Sequence, residues 1–237
     1  MSSFTIPDAC DPTKTALVIN GTAGNDKIHL TPASGGGVQV TINGVSSGPY
    51  TPTGRIIIFG YGGDDWMQVA GSVPNEVWMY GDAGNDDLNL GNGGGIAFGG
   101  DGNDKLLGGS GRDILVGGEG TDHLVGNGGD DILIAAFTDY DDRFTYSNQQ
   151  DAWCHIMEEW QRSDATFQQR IDHLMSEADD GENDLYTLNL RTLHDDSETA
   201  GDKLTGSSGS DWYAYKADED KATGMFSTEA AKDTMIT

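Results

Sequence analysis

Positive charge is scarce in this chain. Thirteen Lys and Arg stand against 39 Asp and Glu over 237 residues, a net charge of −26. Nucleic-acid binding needs clustered Lys and Arg to meet phosphates, so this balance disfavours it, and it disfavours attraction to an anionic membrane as well. The acidity is not local: it amounts to −11 over residues 1–138 and −15 over 139–237. Long apolar runs are missing too, and no stretch reaches transmembrane length. The opening segment, Met1 to Asp8, lacks the basic start and apolar stretch of a secretory signal peptide. The expectation is an excised piece of a longer chain or export by another route. Cysteine is limited to Cys10 and Cys154. The two can pair in an oxidising compartment, or Cys154 can be a buried free thiol beside an apolar helix face.

Catalytic signatures are also lacking. No Lys follows a Gly, which excludes a P-loop, and neither a G-x-S-x-G elbow nor an H-E-x-x-H zinc motif occurs. His155, Glu158, Glu159 and His173 fall on helical segments, but their spacing fits no common zinc motif. They read as ordinary polar pairs on helix faces, and the chain reads as a non-enzyme.

What is abundant is glycine, 35 residues, and it is arranged periodically. From Gly99 to Ile134 the chain reads GGDGNDKLL, GGSGRDILV, GGEGTDHLV, GNGGDDILI: four nine-residue units without a break. Each has a glycine-rich turn, Asp at position six and an aliphatic residue at position eight. Glycines at positions one, two and four permit positive φ and a tight bend. The last three residues form a short strand whose middle side chain points inward, here Leu106, Leu115, Leu124 and Leu133. One turn and one strand per unit make a coil of two units, so turns on one edge stack every second unit. This phasing sorts the aspartates into two columns, Asp86–Asp104–Asp122 and Asp113–Asp131. A turn of this type aims carbonyl oxygens inward beside a carboxylate, which suits a hard cation that takes six to eight oxygens, namely calcium. Ions are expected between Asp86 and Asp104, Asp104 and Asp122, and Asp113 and Asp131. Unit 90–98 has Gly95 at position six, so the place between Gly95 and Asp113 is expected to be weak or empty.

The pattern extends outward. Gly81–Asn89 is a good unit. Gly60–Gln68 is another, two units plus a three-residue insertion earlier, which puts Asp65 in the Asp86 column. Gly21–His29 and Gly206–Ala214 are isolated, degenerate copies, and Asp26 and Asp211 are equally readable as ligands or as plain turn aspartates. Val38–Ile42 and Arg55–Phe59 read as longer strands that begin the roll and cap its open end. Beyond the repeats, Ser147 and Asn148 precede a helix over 149–161 with Trp153, Ile156, Met157 and Trp160 on one face. Ser163 or Asp164 N-caps a second helix carrying Phe167, Ile171, Leu174 and Met175. The helical pair is expected to pack on the last coil, as is the aromatic cluster Trp212, Tyr213 and Tyr215. The acidic stretch 176–184 reads as a solvated connection. The expected organisation is a β cap with one degenerate repeat over 1–59, a calcium-binding roll over 60–137, a helical hairpin cap over 138–185, and terminal strands with a degenerate repeat and tail over 186–237.

The units from Gly81 to Ile134 resemble the haemolysin-type calcium-binding nonapeptides of the RTX family. The resemblance implies an all-β repeat solenoid, a right-handed parallel β-roll, here with an amino-terminal β cap and a carboxy-terminal α-helical hairpin insert. It implies several Ca²⁺ ions held by Asp65, Asp86, Asp104, Asp113, Asp122 and Asp131. The turn carbonyls it implies are those of Gly81, Ala83, Gly99, Gly100, Asp101, Gly102, Gly108, Ser110, Gly118, Gly120, Asn127 and Gly129. The region from Ala136 through Trp153–Trp160 to Trp212 resembles the carboxy-terminal part of large repeat proteins of planctomycete-type bacteria. Family members leave the cell by type I secretion, so the implied location is secreted or cell-surface, and the tail Lys232–Thr237 is compatible with an uncleaved signal. The leading expectation is a calcium-binding extracellular module without catalysis. The alternatives are a self-assembling surface or matrix protein, and the calcium-binding tail of a larger secreted enzyme. Partners beyond calcium are a second copy or a cell-surface component.

Overall fold

The computed structural model describes residues 1–141, 146–176, 186–188, 193–194, 201–215, 220–223 and 234–235. Two nine-stranded sheets face each other across a continuous apolar interior. The first runs β1 (Ser2–Pro7), β2 (Thr15–Thr22), β6 (Ile56–Gly62), β8 (Val77–Ala83), β10 (Gly95–Asp101), β12 (Asp113–Glu119), β14 (Ile132–Ile134), β18 (Trp212–Tyr215) and β20 (Thr234–Met235). The second, read from the same end, runs β5 (Val45–Tyr50), β4 (Gly37–Ile42), β3 (Lys27–Ala33), β7 (Trp66–Val69), β9 (Asp87–Asn89), β11 (Lys105–Leu107), β13 (His123–Gly128), β17 (Lys203–Ser208) and β19 (Lys221–Thr223). The chain alternates between the sheets and all strands after β5 in both pair in parallel, which is a parallel β-roll. A short antiparallel pair, β15 (Phe137–Thr138) with β16 (Leu193–His194), stands outside both sheets.

Position eight does the packing, as the strand alternation requires. Leu106 pairs in register with Leu88 and Leu124 in the second sheet, and Leu115 with Ala97 and Leu133 in the first. All are fully buried. Each such Leu contributes roughly 1.5–3 kcal/mol of transfer free energy, a large share in a chain so rich in glycine. The open end is closed by antiparallel strands: β1 on the first sheet and the β4–β5 hairpin on the second. Ser3 on β1 bonds to Ser47 and Tyr50 on β5 at 3.0 and 2.7 Å, so the two edges are tied to each other.

Two helices follow the main run of repeats, α1 (Tyr146–Gln161) and α2 (Phe167–Met175). They differ from the sequence reading in three respects. Ser147 and Asn148 lie inside α1 rather than before it. The second helix is capped by Thr166 in a reciprocal capping box with Gln169, because Asp164 is instead held by Arg162 at 3.0 Å. The helices do not close the last coil. They lie across the outer face of the first sheet, where Trp153, Ile156, Trp160, Ile171 and Leu174 pack on Ile96, Phe98, Ile114, Val116, Ile132 and Ile134. The roll then resumes beyond them, with β17 on β13 and β18 on β14. Units that feed the first sheet, such as those with Ile96 and Phe98, Ile114 and Val116, and Ile132 and Ile134, carry β-branched or aromatic residues at positions seven and nine, whereas units that feed the second carry Asp87 and Asn89, Lys105 and Leu107, and His123 and Val125 there. The first sheet is thus apolar on both faces and needs a cover.

Cys10, in the segment after β1, is disulfide-bonded to Cys154 on α1, with Cα atoms 5.3 Å apart. Beside it Arg55 makes a buried pair with Asp8 and stacks over Trp78 at 4.0 Å. The free-thiol alternative for Cys154 is therefore set aside. Trp212, Tyr213 and Tyr215 are buried: Trp212 lies in the layer under the helices, and Tyr213 and Tyr215 lie in the interior. Most of the acidic connection, residues 177–184, lies outside the described residues, as do all of the tail 232–237 except Thr234 and Met235, which extend the first sheet.

Candidate metal centre

The turn geometry explains the repeat more finely than glycine content does. Positions two and four take positive φ in units 99–107, 117–125 and 126–134, as at Gly100 (110°) and Gly102 (138°), and even the non-glycine Asp82 at position two is held at 78°, whereas Gly109 and Gly111 of unit 108–116 are not left-handed. Position one is different. Gly99 has no left-handed backbone, yet a β-carbon there would collide with Asp104 Oδ2 and with the Gly117 carbonyl of the next coil. The position-six carboxylate folds back over its own position one, which therefore must be glycine. Unit 90–98 supports this by exception: with Gly95 at position six, position one is Leu90, fully buried in the interior.

The aspartates stack through their own backbones. The amide of each donates to Oδ1 of the aspartate one coil on: Asp26 to Asp65, Asp65 to Asp86, Asp86 to Asp104 and Asp104 to Asp122, each at 2.7 Å. The column does not stop at the repeats. Asp122 donates to Asp202 at 2.6 Å and Asp202 to Asp220 at 2.9 Å. On the other edge Asp113 donates to Asp131 at 3.0 Å and Asp131 to Asp211 at 3.1 Å. Gly95 pairs in register with Asp113 and heads that second column without a carboxylate.

Sequence reasoning missed Asp202 and Asp220. A signal was present: Asp202-Lys203-Leu204 and Asp220-Lys221-Ala222 echo Asp104-Lys105-Leu106, nine residues either side of Asp211. It was hidden because the glycine turn before each is lost. Asp26 sits at the first end of its column with both carboxylate oxygens engaged. Oδ2 accepts from the Thr22 amide and hydroxyl, and Oδ1 accepts from Asn43 Nδ2.

The inner members differ from Asp26. Oδ2 of Asp65, Asp86, Asp104 and Asp131 is buried and accepts no hydrogen bond. An orphaned buried carboxylate oxygen is costly unless a cation meets it. Burial, with the neighbouring carboxylates adding to it, pushes Asp104 up to about 8 and Asp131 to about 9, from an ordinary value of 3.8. Burial likewise leads the upward shifts of Asp65 and Asp113 to about 7 and of Asp86 to about 6. Carbonyl oxygens line the same edges. Those of Gly100 and Gly102 face Gly118 and Gly120 of the next coil too closely for any β-carbon, and that of Gly129 faces Gly209 likewise. The Gly99 carbonyl lies against Gly81, beside Asp86 Oδ2. The carbonyls of Ala83 and Asp101 accept the Gly63 and Gly84 amides at 2.8 Å, and that of Gly108 accepts Asn127 Nδ2 at 3.1 Å. Among the described residues no three His, Cys, Asp or Glu side chains converge on one point. Any ion here must draw on carbonyls together with carboxylates, which is the donor set of calcium and not of zinc.

The second edge also grips the helices. Arg112, at position five, donates to the Gln161 and Arg162 carbonyls at 3.1 and 3.0 Å, and Asp130 pairs with Arg170 of α2. The histidines considered for zinc are apart: His173 bonds the buried Glu159 at 2.8 Å, while His155 approaches Glu158 at 3.8 Å and stacks on Tyr186.

Residues 18–30, 77–97 and 98–133 match the RTX calcium-binding nonapeptide repeat, in four copies. No curated protein and no solved structure matches the chain.

Proposed function

We propose that this chain, which carries RTX nonapeptide repeats that bind several Ca²⁺ ions, is an extracellular, non-catalytic module whose β-roll forms as calcium is taken up. The ligands are assigned to Asp65, Asp86, Asp104, Asp122, Asp202 and Asp220 on one edge and to Asp113, Asp131 and Asp211 on the other, with the turn carbonyls between them. The observation that carries this reading is the column of buried carboxylate oxygens without hydrogen bonds at Asp65, Asp86, Asp104 and Asp131. When bound, each ion supplies two positive charges between stacked acidic turns. The chain's own part is to hold those turns at one-coil spacing through the Asp amide ladder and the paired interior leucines. Asp26, already saturated by Thr22 and Asn43, closes the first edge in place of an ion.

The extracellular assignment is supported by the Cys10–Cys154 bond, since disulfides persist in oxidising compartments. Export of an unfolded chain through a type I route agrees with a roll that calcium completes. The test is a calcium titration of the chelated protein, followed by calorimetry and far-ultraviolet circular dichroism. A rise in β signal together with uptake of several ions is expected. A spectrum indifferent to the chelator overturns the reading.

A further inference from the structure

Among the described residues, the outer face of the second sheet has no apolar cover like that of the first, and it carries much of the chain's scarce positive charge. Position seven forms one row across seven parallel strands. In register order it begins with Lys27 and Trp66, passes Asp87, and continues through Lys105, His123, Lys203 and Lys221. Four of the seven lysines of a chain with net charge −26 thus stand in line on one face. Lys27, Lys105, Lys203 and Lys221 are exposed. Lys105 is offset by Asp87 at 3.2 Å, while burial, with Lys203 and Lys105 adding to it, holds His123 below its ordinary value. Strands step about 4.8 Å along the roll, so the four positions from Lys105 to Lys221 span about 14 Å. Trp66, 37% exposed, lies further along the same row with the His29 ring 5.9 Å away. The adjacent position-nine row offers uncharged hydrogen-bonding groups at Gln68 and Asn89 and again at Thr205 and Thr223, with the apolar Leu107 and Val125 between them.

A compact anion fits this arrangement poorly, because it would meet one or two lysines and the acidic turns on either side. A linear polyanion lying along the roll axis meets the whole row. We propose that this face docks an acidic polysaccharide, with its charged groups on Lys105, Lys203 and Lys221, hydroxyls on the Gln68–Asn89–Thr205 row and a sugar face on Trp66. A nucleic acid carries charge on every unit and depends on many phosphate contacts, which the overall negative field opposes. A polysaccharide with sparser charge and many hydroxyls matches both rows.

The experiment uses the full, calcium-loaded chain titrated with chondroitin sulfate by calorimetry, with neutral dextran and a single-stranded oligonucleotide as parallel probes. Binding of chondroitin sulfate that weakens with added salt, and none of dextran, is expected. The double variant Lys105→Glu/Lys203→Glu should weaken it by at least about tenfold while taking up calcium with unchanged stoichiometry. Absence of binding, binding unaffected by the charge reversal (as calcium bridging through the acidic edges would give), or tighter binding of the oligonucleotide overturns the proposal. Should the double variant fail to fold in calcium, Lys221→Glu is read in the same way, and full binding by it overturns the proposal. Calcium stoichiometry is measured separately, so failure here leaves the calcium reading standing.

Discussion

The amide of Asp122 donates to Oδ1 of Asp202 at 2.6 Å although 80 residues separate them. One coil earlier the same bond joins Asp104 to Asp122 across 18 residues. The helical excursion therefore inserts 62 residues into a single coil and returns the chain to register.

That continuity gives the first prediction. Asp202→Asn should reduce the number of calcium ions bound, although Asp202 lies outside every matched repeat. Asp87→Asn, one residue beyond the column and facing outward, should leave it unchanged. Calorimetric stoichiometry distinguishes the two, and an unchanged count in Asp202→Asn removes the terminal coils from the site.

Position within a column sets the second. Asp104 lies between Asp86 and Asp122, whereas Asp113 has Gly95 on one side. Asp104→Ala should cost two ions and Asp113→Ala one. Asp131, between Asp113 and Asp211, should behave like Asp104. Equal losses for Asp104 and Asp113 would contradict the Gly95 gap.

Steric contact sets the third. Gly99→Ala brings a methyl against Asp104 Oδ2 and the Gly117 carbonyl, whereas a β-carbon at Gly24 meets nothing within 4 Å. In calcium, Gly99→Ala should lose about 1–3 kcal/mol and melt earlier, with Gly24→Ala close to the parent. Thermal melts followed by circular dichroism decide it.

Proton binding sets the fourth. Burial chiefly raises the carboxyls of Asp65, Asp86, Asp104, Asp113 and Asp131 from 3.8 to between about 6 and about 9 in the folded, metal-free chain. A raised folded value means that the folded state holds protons the unfolded chain releases. The resulting stability is present below the unfolded value and is lost as pH rises through the folded values. Calcium-free protein, dialysed rather than chelated, should keep more β signal near about pH 5 than near about pH 9, and calcium affinity should rise over the same interval. Greater order at the alkaline end without calcium would refute this.

The Cys10–Cys154 bond sets the fifth. It pins α1 to the first coils across 144 residues of chain. Reduction should cost about 2–5 kcal/mol and loosen the helices from the first sheet. Trp153 and Trp160 report this, because both are buried in the layer beneath α1 and α2. Tryptophan emission unaltered by reductant, with an unaltered melt, would show that packing alone holds the helices.

Much of the roll was legible because its interactions repeat at one-coil distance. The 18-residue spacing placed Asp86, Asp104 and Asp122 on one edge and Asp113 and Asp131 on the other, and the strand period turned Leu106, Leu115, Leu124 and Leu133 inward. The lack of a carboxylate opposite Asp113 followed from the single letter Gly95, and the three-residue insertion before Gly81 put Asp65 in register with Asp86. These are near-neighbour relations, and local pattern encodes them.

What tertiary structure alone decided concerns segments that return over long distances. Asp202 and Asp220 join the first column because β17 pairs on β13 and β19 on β17, not because their own turns resemble a repeat. Asp26 is saturated because the β4–β5 hairpin brings Asn43 back to it. The helices cover the first sheet's outer face, and Cys154 meets Cys10, because the excursion closes where apolar area is exposed on that face. The sequence determined the unit, its period and its aspartate columns through contacts one coil apart. Which distant segment completes each edge and face was set by the burial available only once the coils had stacked.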